Sequence, residues 1–144
     1  DASTALQQAL GAPLDALAAL RSDSAAALPD FLRDLLRPGQ LPTLKWGAWV
    51  ESGAKADRRD RFAVLLRALL DWTADWTRAR SGLPPRVFVA HARDLSGLAA
   101  GLPVAEALRY HRSLLRKLNL PDTTLSARLQ LESLLLDYRA LFSR

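Results

Sequence analysis

Cysteine, methionine and isoleucine are all absent from this chain of 144 residues, and valine appears only at positions 50, 64, 87, 89 and 104. Without cysteine there is no disulfide, no thiolate metal site and no thiol nucleophile, a composition compatible with the cytoplasm. The scarcity of β-branched side chains removes the residues that best suit a pleated sheet. Long apolar runs are missing too: none approaches the roughly 18 residues needed to span a bilayer, and no charged-then-apolar leader opens the chain. A soluble protein is therefore expected. The chain starts at Asp1 and has no methionine anywhere, so we expect a piece of a longer protein, with part of the parent's activity lying elsewhere.

What fills the space is leucine (31) and alanine (25), both strong helix formers. An all-α fold follows, a compact bundle of about six to eight helices, and the length is enough to bury a core without staples. The net charge of +5 is uneven. Residues 1–50 carry four basic and five acidic groups, net −1; residues 51–100 carry nine and six, and residues 101–144 seven and four, each net +3. A basic C-terminal two-thirds suits nucleic acid or an acidic partner. Arginine supplies 17 of the 20 basic residues, which fits a Leu/Ala/Arg coding bias equally well.

The pattern predicts a short helix over residues 1–10 ended by Gly11, and a second from Pro13 to about Arg21. Ser22-Asp23-Ser24 then offers a new N-cap, marking a weak boundary, and a third helix follows to about Leu36. Pro29 must sit in its first turns or break it. Pro38-Gly39 stops it, and a Trp-bearing helix covers about Thr43 to Glu51. The clearest segment runs from about Asp57 to Ser81. There Phe62, Leu65, Leu66, Leu69, Trp72, Thr73 and Trp76 recur at steps of three and four, ended by Gly82 and Pro84-Pro85. Arg86-Val87-Phe88-Val89 is strand-like. A short helix from about Arg93 to Ala100 and another from Pro103 to about Lys117 follow. Thr123, Thr124 or Ser126 caps the last helix, whose stripe is Ala127, Leu131, Leu134, Leu135, Tyr138, Leu141 and Phe142.

Catalytic groups are hard to assemble from these residues. His91 and His111 stand twenty positions apart outside any H-x-x-x-H or H-E-x-x-H pattern, and no serine lies in a G-x-S-x-G elbow. Asp71 and Asp75, at i and i+4, are spaced to share a metal. Arg67 and Arg78 beside them make an ion-pair ladder the cheaper explanation. No glycine-rich phosphate loop occurs. The cluster Lys55, Arg58, Arg59 and Arg61 is broken by Asp57 and Asp60, as in a solvated helix start. Trp72 and Trp76 fall on the apolar stripe and belong to a core. No catalytic residue, metal or cofactor is expected.

Both ends of the chain and its middle carry a family likeness. Gly11-Ala12-Pro13-Leu14-Asp15-Ala16-Leu17 resembles the sensor-2 turn of AAA+ clamp-loader subunits, G-S-x-R-x-A-L, with Leu14 at the degenerate arginine position. Arg109-Tyr110-His111-Arg112-Ser113-Leu114-Leu115, Leu125-Ser126-Ala127-Arg128-Leu129 and Leu131-Glu132-Ser133-Leu134-Leu135-Leu136-Asp137-Tyr138 resemble the end of the delta-prime subunits of bacterial DNA polymerase III clamp loaders, whose pattern is L-N-x-R-L-x-L-E-x-L-L-L-x-Y. Leu70-Asp71-Trp72 through Arg80-Ser81-Gly82 resembles that family's D-W-L-x-x-W-L-x-D-L helix. The resemblance implies that residues 1–21 are the tail of an AAA+ lid and residues 22–144 a C-terminal collar domain. It implies a non-catalytic oligomerisation role in DNA replication, with the motor (gamma/tau) and delta subunits as partners, in the bacterial cytoplasm. No membrane and no direct DNA contact are expected, and the isolated chain is expected to be monomeric. Arg109, Arg112, Arg128, Tyr138, Arg139 and Phe142 are the candidate interface residues. The alternatives are the collar of another clamp-loader subunit and a basic helical nucleic-acid-binding module.

Overall fold

A computed structural model describes the backbone of residues 14–120 and 124–143, and side-chain surroundings from residue 25 onward. Among the described residues there are six α-helices: α1 (Leu14–Leu35), α2 (Thr43–Ser52), α3 (Arg58–Arg80), α4 (Ala92–Ala99), α5 (Val104–Asn119) and α6 (Ala127–Leu141). No strand occurs among the described residues. The all-α bundle read from composition is what the chain adopts.

α3 is the axle. Its buried set, from Phe62 and Leu65 through Leu69, Trp72, Thr73 and Trp76, is wider than one stripe, because α3 packs against all five other helices. A helix apolar around most of its circumference must be enclosed. Its C-terminus closes in a Schellman motif. The Gly82 N–H donates to the Ala79 carbonyl at 3.0 Å and the Leu83 N–H to that of Arg78 at 2.8 Å. Gly82 sits at φ +79°, where a side chain is strained and glycine is not.

Tyr138 of α6 ties three helices together. Its ring stacks on Trp76 at 5.3 Å. Its hydroxyl donates to the Leu35 carbonyl at 2.7 Å and accepts from the Trp72 indole N–H at 3.1 Å. Desolvation pushes the phenol far above its ordinary range, so it stays a donor at any working pH. Tyr110 of α5 donates to the Leu134 carbonyl at 2.7 Å, locking α5 to α6.

Two local expectations change. Residues 22–24 do not start a new helix, since α1 runs unbroken from Leu14 to Leu35. Ser and Asp lower helix propensity by only about half a kcal/mol each, and the alanine and leucine on both sides outweigh that. Pro29 lies inside the same helix rather than in its first turns. The strand-like run at Arg86 to Val89 finds no partner strand either. The backbone N–H groups of Arg86, Val87 and Phe88 donate instead to the Asp75 carboxylate, at 2.8, 3.1 and 2.8 Å, and Val89–His91 is a 3-10 turn. The helix expected over residues 1–10 and its Gly11 cap lie outside the described residues. So does the side chain of Leu14, whose backbone opens α1.

Candidate functional site

The residues singled out for chemistry are employed in the fold. Asp71 pairs with Arg67 at 3.5 Å, half of the expected ladder. Asp75 does not complete it: it is 1 % exposed and turned to residues 86–88, while Arg78 donates to the Pro84 carbonyl at 2.8 Å. Two carboxylates aimed apart share no metal. Among the described residues, no group of three or more His, Asp or Glu side chains is placed to hold one. His111 Nδ1 is hydrogen-bonded to the Thr73 hydroxyl at 2.6 Å, and that hydroxyl also lies 3.1 Å from the Leu70 carbonyl, so the imidazole is fastened to α3. In the basic cluster, Arg59 donates to the Leu125 carbonyl at 2.8 Å. Arg61 donates to the Trp49 carbonyl at 2.7 Å and lies 4.8 Å over the Trp49 ring. Those guanidinia fasten helices together.

What remains is surface, and two helix faces stand out. α6 buries Ala127, Leu131, Leu134, Leu135 and Tyr138. At ~100° per residue, Leu129, Ser133, Leu136 and Ala140 fall on the opposite side. All four are exposed, and both leucines are about half open to solvent, at 54 % and 52 %. Leu125, just ahead of the helix, is 48 % exposed. The Ser126 hydroxyl, capping Leu129 N at 3.2 Å, fixes where this face begins.

Arg128 edges that face within a network. It donates to Glu132 at 2.8 Å and pairs closely with Glu51 of α2. The hydrogen bond from Arg128 holds the Glu51 carboxyl below its ordinary range. α2 approaches so closely here that a Cβ on Gly47 would overlap the Glu132 carboxylate. Arg139 is exposed on the same edge. Phe142 is half-buried, its ring 5.2 Å from Tyr138 and 5.9 Å from Trp76. Tyr138 itself is withdrawn from the surface, at 0 % exposure, with its hydroxyl engaged twice. It supports the α6 face from behind and cannot present itself to a neighbour.

α5 differs. It buries Ala107, Tyr110 and Leu114. Opposite them, Ala105, Arg109, Arg112 and Arg116 line the outer side, with Leu108 and Leu115 at one margin. Ala105, Leu108 and the three arginines surround a shallow depression of about 400 Å³. Among the described residues no carboxylate or carbonyl pairs with Arg109, Arg112 or Arg116.

The six residues expected at an interface therefore separate. Arg109 and Arg112 belong to α5, Arg128 and Arg139 edge the α6 face, Phe142 seals the core end and Tyr138 is core. Arg116, Leu129 and Leu136 were missed by the sequence reading. Their signal was a seven-residue recurrence on the side of each helix away from the core stripe. The faces must be read from their own geometry, since no family model, curated protein or solved structure matches the chain.

Proposed function

We propose that this chain is a non-catalytic association domain, the collar of a clamp-loader subunit of the delta-prime type, and that it joins neighbouring subunits through the outer face of α6. One observation carries the association: α6 has leucines on both sides, and only one side is covered. Exposed leucines in register along a helix, rimmed by charge, have the anatomy of a protein interface. Helix-on-helix packing is the means available to such a face. The sequence likeness at Leu125–Leu129 and Leu131–Tyr138 supplies the choice of partner, since that stretch forms the face.

The isolated chain is read as a monomer, as the family resemblance implies. The test is capture of separately purified motor and delta subunits by the chain, after gel filtration has shown a single-chain species. Wild type is expected to retain at least one subunit, and the double variant Leu129→Glu, Leu136→Glu to lose it with its helicity unchanged. Failure of the wild type to capture either subunit, or equal capture by the variant, overturns the reading.

A further inference from the structure

We propose that the outer face of α5, built on Arg109, Arg112 and Arg116, is a binding site for the phosphodiester backbone of duplex DNA. This goes against the expectation of no direct DNA contact, and it stands independently of the collar reading, because it uses another helix and other side chains.

Among the described arginines, Arg33, Arg67 and Arg128 have carboxylate partners and Arg59, Arg61, Arg78 and Arg80 donate to carbonyls, whereas Arg37, Arg58, Arg86, Arg93 and Arg139, each on a separate element, have neither. The three on α5 also have neither among the described residues, but they stand together on one helix face. They follow one another at i, i+3 and i+7, so like charges are neighbours along one side of the helix, an arrangement that weakens it slightly. The negative C-terminal end of α5 accounts for the last-turn pair Arg116 and Lys117, but not for Arg109 and Arg112 in mid-helix. A stripe that costs stability and meets no carboxylate among the described residues is available to an external anion. At ~1.5 Å rise per residue it is about 10 Å long, the length of roughly three nucleotides of one strand of B-DNA.

The layout of the face selects the class of anion. Its centre is guanidinium and its apolar residues, Leu108 and Leu115, lie at the margin. A protein interface is built the other way round, with charge depleted from the middle. Seating an acidic helix here would desolvate three guanidinia at once, whereas contacts to phosphates stay wet. Guanidinium also matches phosphate in a two-pronged geometry. The form of the nucleic acid follows from what the face omits. Tyr110 is buried and the half-buried ring of His111 is bonded to Thr73 of α3, so neither ring of α5 lies on the arginine face to stack unpaired bases. The Ser113 hydroxyl donates to the Tyr110 carbonyl at 2.6 Å and so has no proton to offer a ribose 2′-hydroxyl. With no side chain placed at base edges, binding is independent of sequence.

Fluorescence anisotropy of labelled duplex DNA, titrated with the whole chain over a range of salt, tests this. The expected result is weak, sequence-independent binding at low salt, with log K falling against log salt at a slope of about −3. The triple variant Arg109→Ala, Arg112→Ala, Arg116→Ala is expected to bind at least about tenfold more weakly with unchanged helicity. The Leu129→Glu, Leu136→Glu variant changes net charge by two, so the neutral pair Leu129→Gln, Leu136→Gln is the control and is expected to bind as wild type. Duplex binding that survives the triple variant overturns the proposal, as does no binding at low salt or preference for single-stranded DNA or duplex RNA. Loss of motor- or delta-subunit capture by the triple variant, with no duplex binding by wild type, would assign the stripe to a protein partner instead.

Discussion

Asp75 is the residue whose role is least visible from its neighbours in the chain. Its carboxylate accepts three consecutive backbone N–H groups from a segment eleven to thirteen residues away, in a position 1 % exposed. Asp75→Asn keeps the shape but replaces one acceptor oxygen with a donor that opposes an N–H. Charged hydrogen bonds are each worth about 1.5–3 kcal/mol, so the variant is expected to lose about 3 kcal/mol in urea unfolding. A loss under about 1 kcal/mol would mean water replaces the carboxylate readily. His111 gives a pH signature. Desolvation pushes its pKa below the ordinary histidine value, so from about pH 6.5 downward the unfolded chain takes up a proton that the folded chain resists. Stability is therefore complete above that pH and falls as pH drops through the window between the unfolded and folded values. Unfolding midpoints measured from pH 7.5 to 5.0 should fall for wild type and lie flatter for His111→Gln.

At the scale of elements, α6 separates two kinds of leucine on adjacent positions. Leu135 is fully enclosed and Leu136 is half exposed. Leu135→Ala opens a cavity and is expected to cost about 2–5 kcal/mol. Leu136→Ala touches no core and should change stability by no more than about 0.5 kcal/mol while weakening association. Chemical denaturation of the two variants side by side checks this. Equal losses would mean that the outer face is structural. Sequence periodicity found the inner stripe of α6 and nearly all of α3, because apolar recurrence near 3.6 residues is a local property. The outer leucines share that recurrence but were masked by the stronger stripe. Arg86 to Val89 was misread for the opposite reason: its valines spell a strand locally, and the carboxylate that decides its conformation belongs to another element. The caps at residues 22–24 were also real in type, yet helix formers on both sides absorbed them.

Across the whole molecule, α3 touches every other helix, so the bundle has one core and its two distinctive faces are carried on the outside of it. The basic excess of residues 101–144 was legible from composition, but not its arrangement. Arg128 is spent on Glu51 and Glu132, whereas Arg109, Arg112 and Arg116 share one face and meet no carboxylate among the described residues. Pairing across 77 positions, as between Arg128 and Glu51, is invisible to any local pattern. Tyr138 illustrates the same limit: the stripe of α6 includes it and the family resemblance offers it as an interface residue, while the bonds of its hydroxyl to Leu35 and Trp72 that fix it in the core join positions far apart in the chain.

The grip of Asp75 on residues 86–88 also sets a timescale. Those amide protons lie in a stretch without regular secondary structure, where hydrogen exchange is ordinarily fast. Here all three bind one carboxylate rooted in the C-terminal third of α3, so they are expected to be released together when that part of the helix opens. An irregular segment thus inherits the lifetime of the most central helix in the molecule.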